Sequence, residues 1–235
     1  MKIRIFRIST VLIVSWILCL IFYDGNSMEE NFSMIYGWMT VSDISSILVT
    51  FTRWLLPQMV LCLFFGNYME EKFMTVLPYI LTRTKTPWRF AGKVYGKIIV
   101  SVFGYSLLFA VVPLVIGIAG SPFFHWDTGW DKILLWCSYQ VICVVFVNVI
   151  STFANSIYGL CGLLCLEGIF WILFRAIDLQ TIPETVGKFL PIYGLRFFDG
   201  KAIQSLDPSG VFMFAGIIVI GIIGSTICLT KRDMM

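Results

Sequence analysis

Six apolar runs, at about residues 8–23, 44–68, 98–119, 133–152, 157–174 and 211–230, govern what this chain of 235 residues can fold into. A helix needs about 20 apolar residues to cross the roughly 30 Å of hydrocarbon in a bilayer, and each run is near that length. Hydrophobic residues make up 58% of the chain and charged residues 13%, against about half and a quarter in a soluble domain. A soluble fold of this size cannot hide so much apolar surface, whereas in a bilayer it faces lipid. Little chain remains for a soluble attachment. The expected fold is one all-α polytopic membrane domain over residues 1–235, with six transmembrane helices.

Lysine and arginine placement sets the orientation, because basic loops stay in the cytoplasm. Lys2, Arg4 and Arg7 precede the first run, Lys72 to Lys97 fill the connection between the second and third, and Lys231 and Arg232 follow the sixth. The connection after the first run carries Asp24, Glu29, Glu30 and Asp43 instead. Both termini are therefore expected in the cytoplasm. Lys188, Arg196 and Lys201, in the segment placed outside, run against this bias. The run at 8–23 ends in Asp24-Gly25-Asn26 without an A-x-A-like site, so it reads as a retained anchor rather than a cleaved signal. The net charge of +3 is spent on topology and does not point to nucleic acid. The seven cysteines make no CxxC pair and lie in or beside apolar runs, as small apolar fillers do.

Several residues stand out against the apolar background. Arg53 falls inside a span, where a charge costs roughly 2.5–3.5 kcal/mol on insertion scales. The expectation is that Asp43 to Thr52 lies along the outer interface, with Arg53 and Trp54 as its anchor and the span beginning near Leu55; a single long helix is the rival. Pro57 then sits in a first turn, where its missing N–H is tolerated. Glu167 is the one carboxylate well inside an apolar run. Substrate contact, proton handling or a structural hydrogen bond to Asn148 or Ser151 all remain open for it. With Asn148 and Gln58 it forms the set of translocation-path candidates. Phe153 to Ser156 reads as a tight hairpin between the fourth and fifth spans, and Gly216, Gly221, Gly224 and Ser225 as close helix packing.

The connection from Gly66 to Lys97 is the most informative segment. Glu70 and Glu71 leave the second span. A helix from Glu70 to Leu77 places Phe73, Met74 and Leu77 on one side. Tyr79, Ile80 and Leu81 follow, then the basic stretch Thr82-Arg83-Thr84-Lys85-Thr86 and a restart at Pro87-Trp88, with Trp88 an interfacial anchor. An amphipathic surface helix without a partner would look the same. This order, closing with Lys93, resembles the ABC-2 type family of ABC transporter permeases. The likeness covers span count and loop lengths throughout and is sharp over residues 66–97. The resemblance implies that the 69–85 segment is a cytoplasmic coupling helix docking on a separate ATP-binding cassette subunit. Glu70, Glu71, Phe73, Met74, Leu77, Tyr79 and Arg83 would then be its contact residues. It implies a second permease subunit, identical or related, with spans two and five lining the path, and a bacterial cytoplasmic membrane as the location. It also implies that residues 179–210, with Pro183 and Pro191, form short external or re-entrant helices before span six; a partly exposed loop is the alternative.

Rival chemistries find little footing. The single histidine, His125, lies in a loop, so neither a serine–histidine protease nor a histidine-ligated metal centre assembles. Glu70-Glu71 is also the pair of CAAX-type membrane proteases, but Thr75 stands where that family has arginine. No Walker A sequence is present: Gly92-Lys-Val-Tyr-Gly-Lys-Ile has isoleucine where Ser or Thr is needed. The expectation is a non-catalytic permease subunit of an exporter, binding no cofactor or metal itself, with ATP and Mg²⁺ in the partner. Peptide, drug and lipid-like cargoes all fit. The alternative is a membrane immunity or scaffold protein that sequesters a peptide.

Overall fold

A computed structural model describes residues 2–22, 44–72, 87–120, 130–178, 183, 185 and 209–232. All regular structure among these is α-helical: α1 (Lys2–Phe22), α2 (Ile44–Phe65), α3 (Pro87–Gly120), α4 (Trp130–Phe153), α5 (Ser156–Asp178) and α6 (Ser209–Arg232). A helix satisfies its backbone within itself, which a lipid-facing segment must do. Three stretches are long and apolar enough to cross a membrane: Trp88–Ile116, Ile133–Phe153 and Ser156–Leu173. Phe6–Ile21 and Ser209–Gly224 are shorter apolar helices.

The side chains are distributed inside out. Leu63 and Val100 are each 73% exposed and Ile220 70%, whereas Gln58, Gln140, Asn148 and Glu167 are all at 0%. Exposed aliphatic faces around an apolar core that also encloses polar side chains mark a protein solvated by lipid. α4 is the central helix, packing on α2, α3, α5 and α6, while α1 packs on α2 and α3. Aromatic rings set much of the spacing. Phe214 of α6 lies 6.4 Å from Tyr139, 6.0 Å from Phe146 and 5.8 Å from Phe170, tying α6 to both α4 and α5.

Two prolines sit inside helices. Pro113 in α3 has no N–H to give to the Phe109 carbonyl one turn back. The buried Ser15 hydroxyl of α1 donates to that carbonyl at 3.0 Å, replacing the missing bond and joining α1 to α3. Pro57 lies mid-way along α2, which runs unbroken from Ile44 through Arg53 to Phe65. The expected break before Leu55 is therefore corrected to the single long helix. Arg53 and Trp54 are 5% and 1% exposed, buried among neighbouring helices rather than displayed at a boundary. Burial is what makes the continuous helix workable: protein rather than lipid surrounds both side chains.

α3 also begins earlier than its apolar run, at Pro87, a residue suited to a first helical position. At 34 residues it is about 51 Å long and outreaches the hydrocarbon. Its first turns carry the half-exposed Trp88 together with Arg89, Lys93 and Lys97. The connection after α2 is correspondingly shorter than Gly66–Lys97.

Candidate functional site

Three helices converge on one carboxyl. Glu167 of α5 is 0% exposed and accepts from four donors. Gln58 Nε2 of α2 donates to Oε1 at 3.2 Å, the Tyr139 hydroxyl of α4 donates to the same oxygen, and Cys143 Sγ of α4 reaches it at 3.7 Å. Trp54 Nε1 of α2 donates to Oε2 at 3.3 Å. Four donors nearly saturate the lone pairs of a carboxyl, and none of these partners is a lysine or arginine. The Trp54 and Tyr139 rings pack at 5.8 Å, and Phe51 meets Trp171 at 6.1 Å beside them. The cluster clamps α2, α4 and α5 together through groups that all donate to one carboxyl.

Neither Asn148 nor Ser151 is a partner of Glu167. The α4–α5 hairpin explains why. A turn as tight as Phe153 to Ser156 forces residues equally far from it to face one another. Glu167 and Cys143 lie about three turns to either side, whereas Asn148 and Ser151 are much nearer the hairpin. The close crossing rests on Gly159: a Cβ there would lie 2.7 Å from the Val147 carbonyl oxygen.

Asn148 has a different task. Its Nδ2 donates to the carbonyls of Phe65 and Val144, each at 2.8 Å, and its Oδ1 accepts the Met69 N–H at 3.0 Å. A continuous α-helix would bond Met69 N–H directly to Phe65 C=O. The amide stands between them, so α2 stops and the chain turns at Gly66 and Asn67 before a second helical stretch at 68–72. Gly66 fits because a Cβ there would meet the Cys62 carbonyl oxygen at 2.4 Å and Val147 Cγ1 at 3.1 Å.

Glu70, on the new helical stretch, reaches the hairpin: its Oε2 accepts the Ser156 N–H at 3.1 Å. Asn155 Oδ1 accepts the Ile157 N–H at 3.2 Å. Two oxygens thus satisfy the first N–H groups of α5, and the negative one sits where the helix dipole favours it. Basic side chains gather at the same end. The Arg7 guanidinium lies 4.8 Å over Phe65, and Lys72 Nζ lies 5.6 Å over Tyr68.

Of the coupling candidates, Glu70 is half-buried in this junction and Glu71 is exposed. Phe73, Met74, Leu77, Tyr79 and Arg83 lie outside the described residues, as does nearly all of 179–208. Of the path candidates, Gln58, Asn148 and Glu167 are all sealed inside the bundle and bonded within the chain. Sequence reasoning missed Tyr139 and Cys143, which the hairpin register alone would have placed opposite Glu167. It also missed Gln140, whose buried amide has no hydrogen-bond partner at either atom, a kind of site that internal water occupies. Compared with protein-family models, curated proteins and solved structures, the chain matches none.

Proposed function

We propose that this chain is a membrane-spanning permease subunit of an ATP-driven ABC-2 type exporter, with six spans and both termini in the cytoplasm. The observation that supports it most is the junction after α2. The helix is broken at Gly66-Asn67 by Asn148, and the next helical stretch is tied by Glu70 to the start of α5. A coupling element must pass a displacement to the spans without dissipating it, and this junction joins the start of the 69–85 segment to α2, α4 and α5 at once. Glu167 would carry the same displacement deeper, since it binds α2 to α4 and α5. Because the polar residues are sealed within one chain, the cargo path runs between subunits, and Glu167 is a clamp rather than a contact for cargo. Arg7 and Lys72 collecting over Phe65 and Tyr68, at the end of α2, support placing that end in the cytoplasm.

The test is a mild-detergent pull-down of the tagged protein from its native membrane, read by mass spectrometry and an ATPase assay. A stoichiometric ATP-binding partner that is lost when Phe73, Leu77 and Tyr79 are changed to alanine supports the exporter. A pure chain without an ATPase, under conditions that preserve a known ABC complex, favours the peptide-sequestering immunity or scaffold protein instead.

A further inference from the structure

Glu167 and Gln58 are both at 0% exposure, and no positive charge answers the carboxyl. Among the described residues its partners are the neutral side chains of Trp54, Gln58, Tyr139 and Cys143. The titratable groups around it are the Tyr139 phenol and Cys143 thiol of α4 and the Cys62 thiol of α2. All three are uncharged at neutral pH by their ordinary values. An ionised carboxyl buried without a cation is costly, and four neutral dipoles leave its charge in place.

The bonds are also unevenly shared. Gln58 Nε2 at 3.2 Å, the Tyr139 hydroxyl and Cys143 Sγ at 3.7 Å all aim at Oε1, while Oε2 takes Trp54 alone. An oxygen has two lone pairs for those three donors. Beside them the buried Gln58 Oε1 has no hydrogen-bond partner. One oxygen is oversubscribed and its neighbour is unused.

A single proton removes both faults. The two ends of a glutamine amide are alike in size, so Gln58 can turn over in place. Its oxygen then lies where Nε2 was, 3.2 Å from Glu167 Oε1 and 3.9 Å from Cys143 Sγ. A proton on Glu167 Oε1 donates to that oxygen, and the Cys143 thiol donates to it as well. Tyr139 keeps Oε1, and Trp54 keeps Oε2, which becomes the carbonyl oxygen. The Gln58 N–H groups lose their acceptors, which costs less than an uncompensated buried charge. We propose that Glu167 is a proton-binding site inside the bundle, its O–H formed with a proton taken from water and held by Gln58 Oε1. The joint between α2, α4 and α5 is then electrically neutral. The site depends neither on the exporter reading nor on any partner.

The experiment is infrared spectroscopy of the purified full chain in detergent at neutral pH, with glutamate ¹³C-labelled at its side-chain carboxyl. A protonated carboxyl absorbs apart from a carboxylate. The expected result is one protonated-glutamate band that shifts with the label and with D₂O and is missing from Glu167→Gln. Gln58→Met, close in volume but without the amide oxygen, should keep the band and move it to higher frequency, as loss of an acceptor does; a packing role alone would leave it in place. Absence of any protonated-glutamate band from the wild-type chain overturns the proposal, whether or not either variant folds. Persistence of the band in Glu167→Gln, or an unmoved band in Gln58→Met, overturns it too.

Discussion

Replacing Asn148 by alanine removes the wedge that separates α2 from the helical stretch at 68–72. Three hydrogen bonds disappear, to Phe65 C=O, Val144 C=O and from Met69 N–H. Val144 keeps its ordinary helical partner, so two buried backbone groups are orphaned. Each costs about 1–3 kcal/mol, giving about 2–6 kcal/mol if the bend is retained. The alternative is for Met69 N–H to close directly on Phe65 C=O, which lowers the cost. That closure straightens the junction and draws Glu70 away from the Ser156 N–H, trading one loss for another of about 1 kcal/mol. A net loss of about 2 kcal/mol follows, or a fall of about 4–8 °C in the unfolding midpoint for a chain of this size. The assay is thermal unfolding in detergent, with hydrogen exchange followed by mass spectrometry. Amides at Met69 and Ser156 should both exchange faster, although Ser156 does not touch Asn148. A variant with an unchanged midpoint and unchanged exchange at both amides would refute the wedge and the tie to α5 together.

Other perturbations test the remaining joints. Glu167→Ala leaves the Trp54, Gln58 and Tyr139 donors without their acceptor and should destabilise by about 3 kcal/mol or more, against about 1 kcal/mol for Tyr139→Phe. A double-mutant cycle in unfolding should give a coupling of at least about 0.5 kcal/mol, and strict additivity would remove the bond. Gly159→Ala should cost about 1–3 kcal/mol because its Cβ meets the Val147 backbone. Gly104→Ala, with open space around it, should be neutral or gain up to about 1 kcal/mol; equal midpoints for the two would contradict the crossing. Ser15→Ala should destabilise by about 1 kcal/mol, and adding Pro113→Ala should recover part of it by restoring an N–H to Phe109 C=O. No recovery in unfolding measurements would disconnect the serine from the proline.

The helices were legible because their signal is long and repeated. All six runs coincide with helices to within a few residues at most ends. Two departures have physical causes that a hydropathy pattern does not contain. α3 starts at Pro87 because lysines and arginines at helical spacing are as compatible with a helix leaving the membrane as with a loop. α2 passes through Arg53 because a charge is unwelcome only where lipid surrounds it, and burial within the bundle is a tertiary fact. The candidate site was legible in its members more than in its connections. Glu167, Gln58 and Asn148 stand out as polar residues in apolar runs, whereas Trp54 reads from the sequence as an interfacial anchor. Composition could not tell which would meet, and the guess that joined Glu167 to Asn148 chose the nearer polar residues over the opposed ones. Tyr139 carries no signal of its own, because tyrosine in a span is unremarkable by type. Only the antiparallel register of a two-residue hairpin turns it into the partner of an acid, and that register was available from Phe153 and Ser156. Asn148 shows the converse. Nothing in its neighbourhood along the chain marks it as the residue that ends another helix, because the carbonyl and N–H that it separates belong to α2 and its continuation, about 80 positions earlier. A polar residue in a span is thus best read by asking which backbone groups its neighbours leave unpaired. By that rule Ser15 and Pro113 form a pair even though each, taken alone, is an ordinary residue of an ordinary membrane helix.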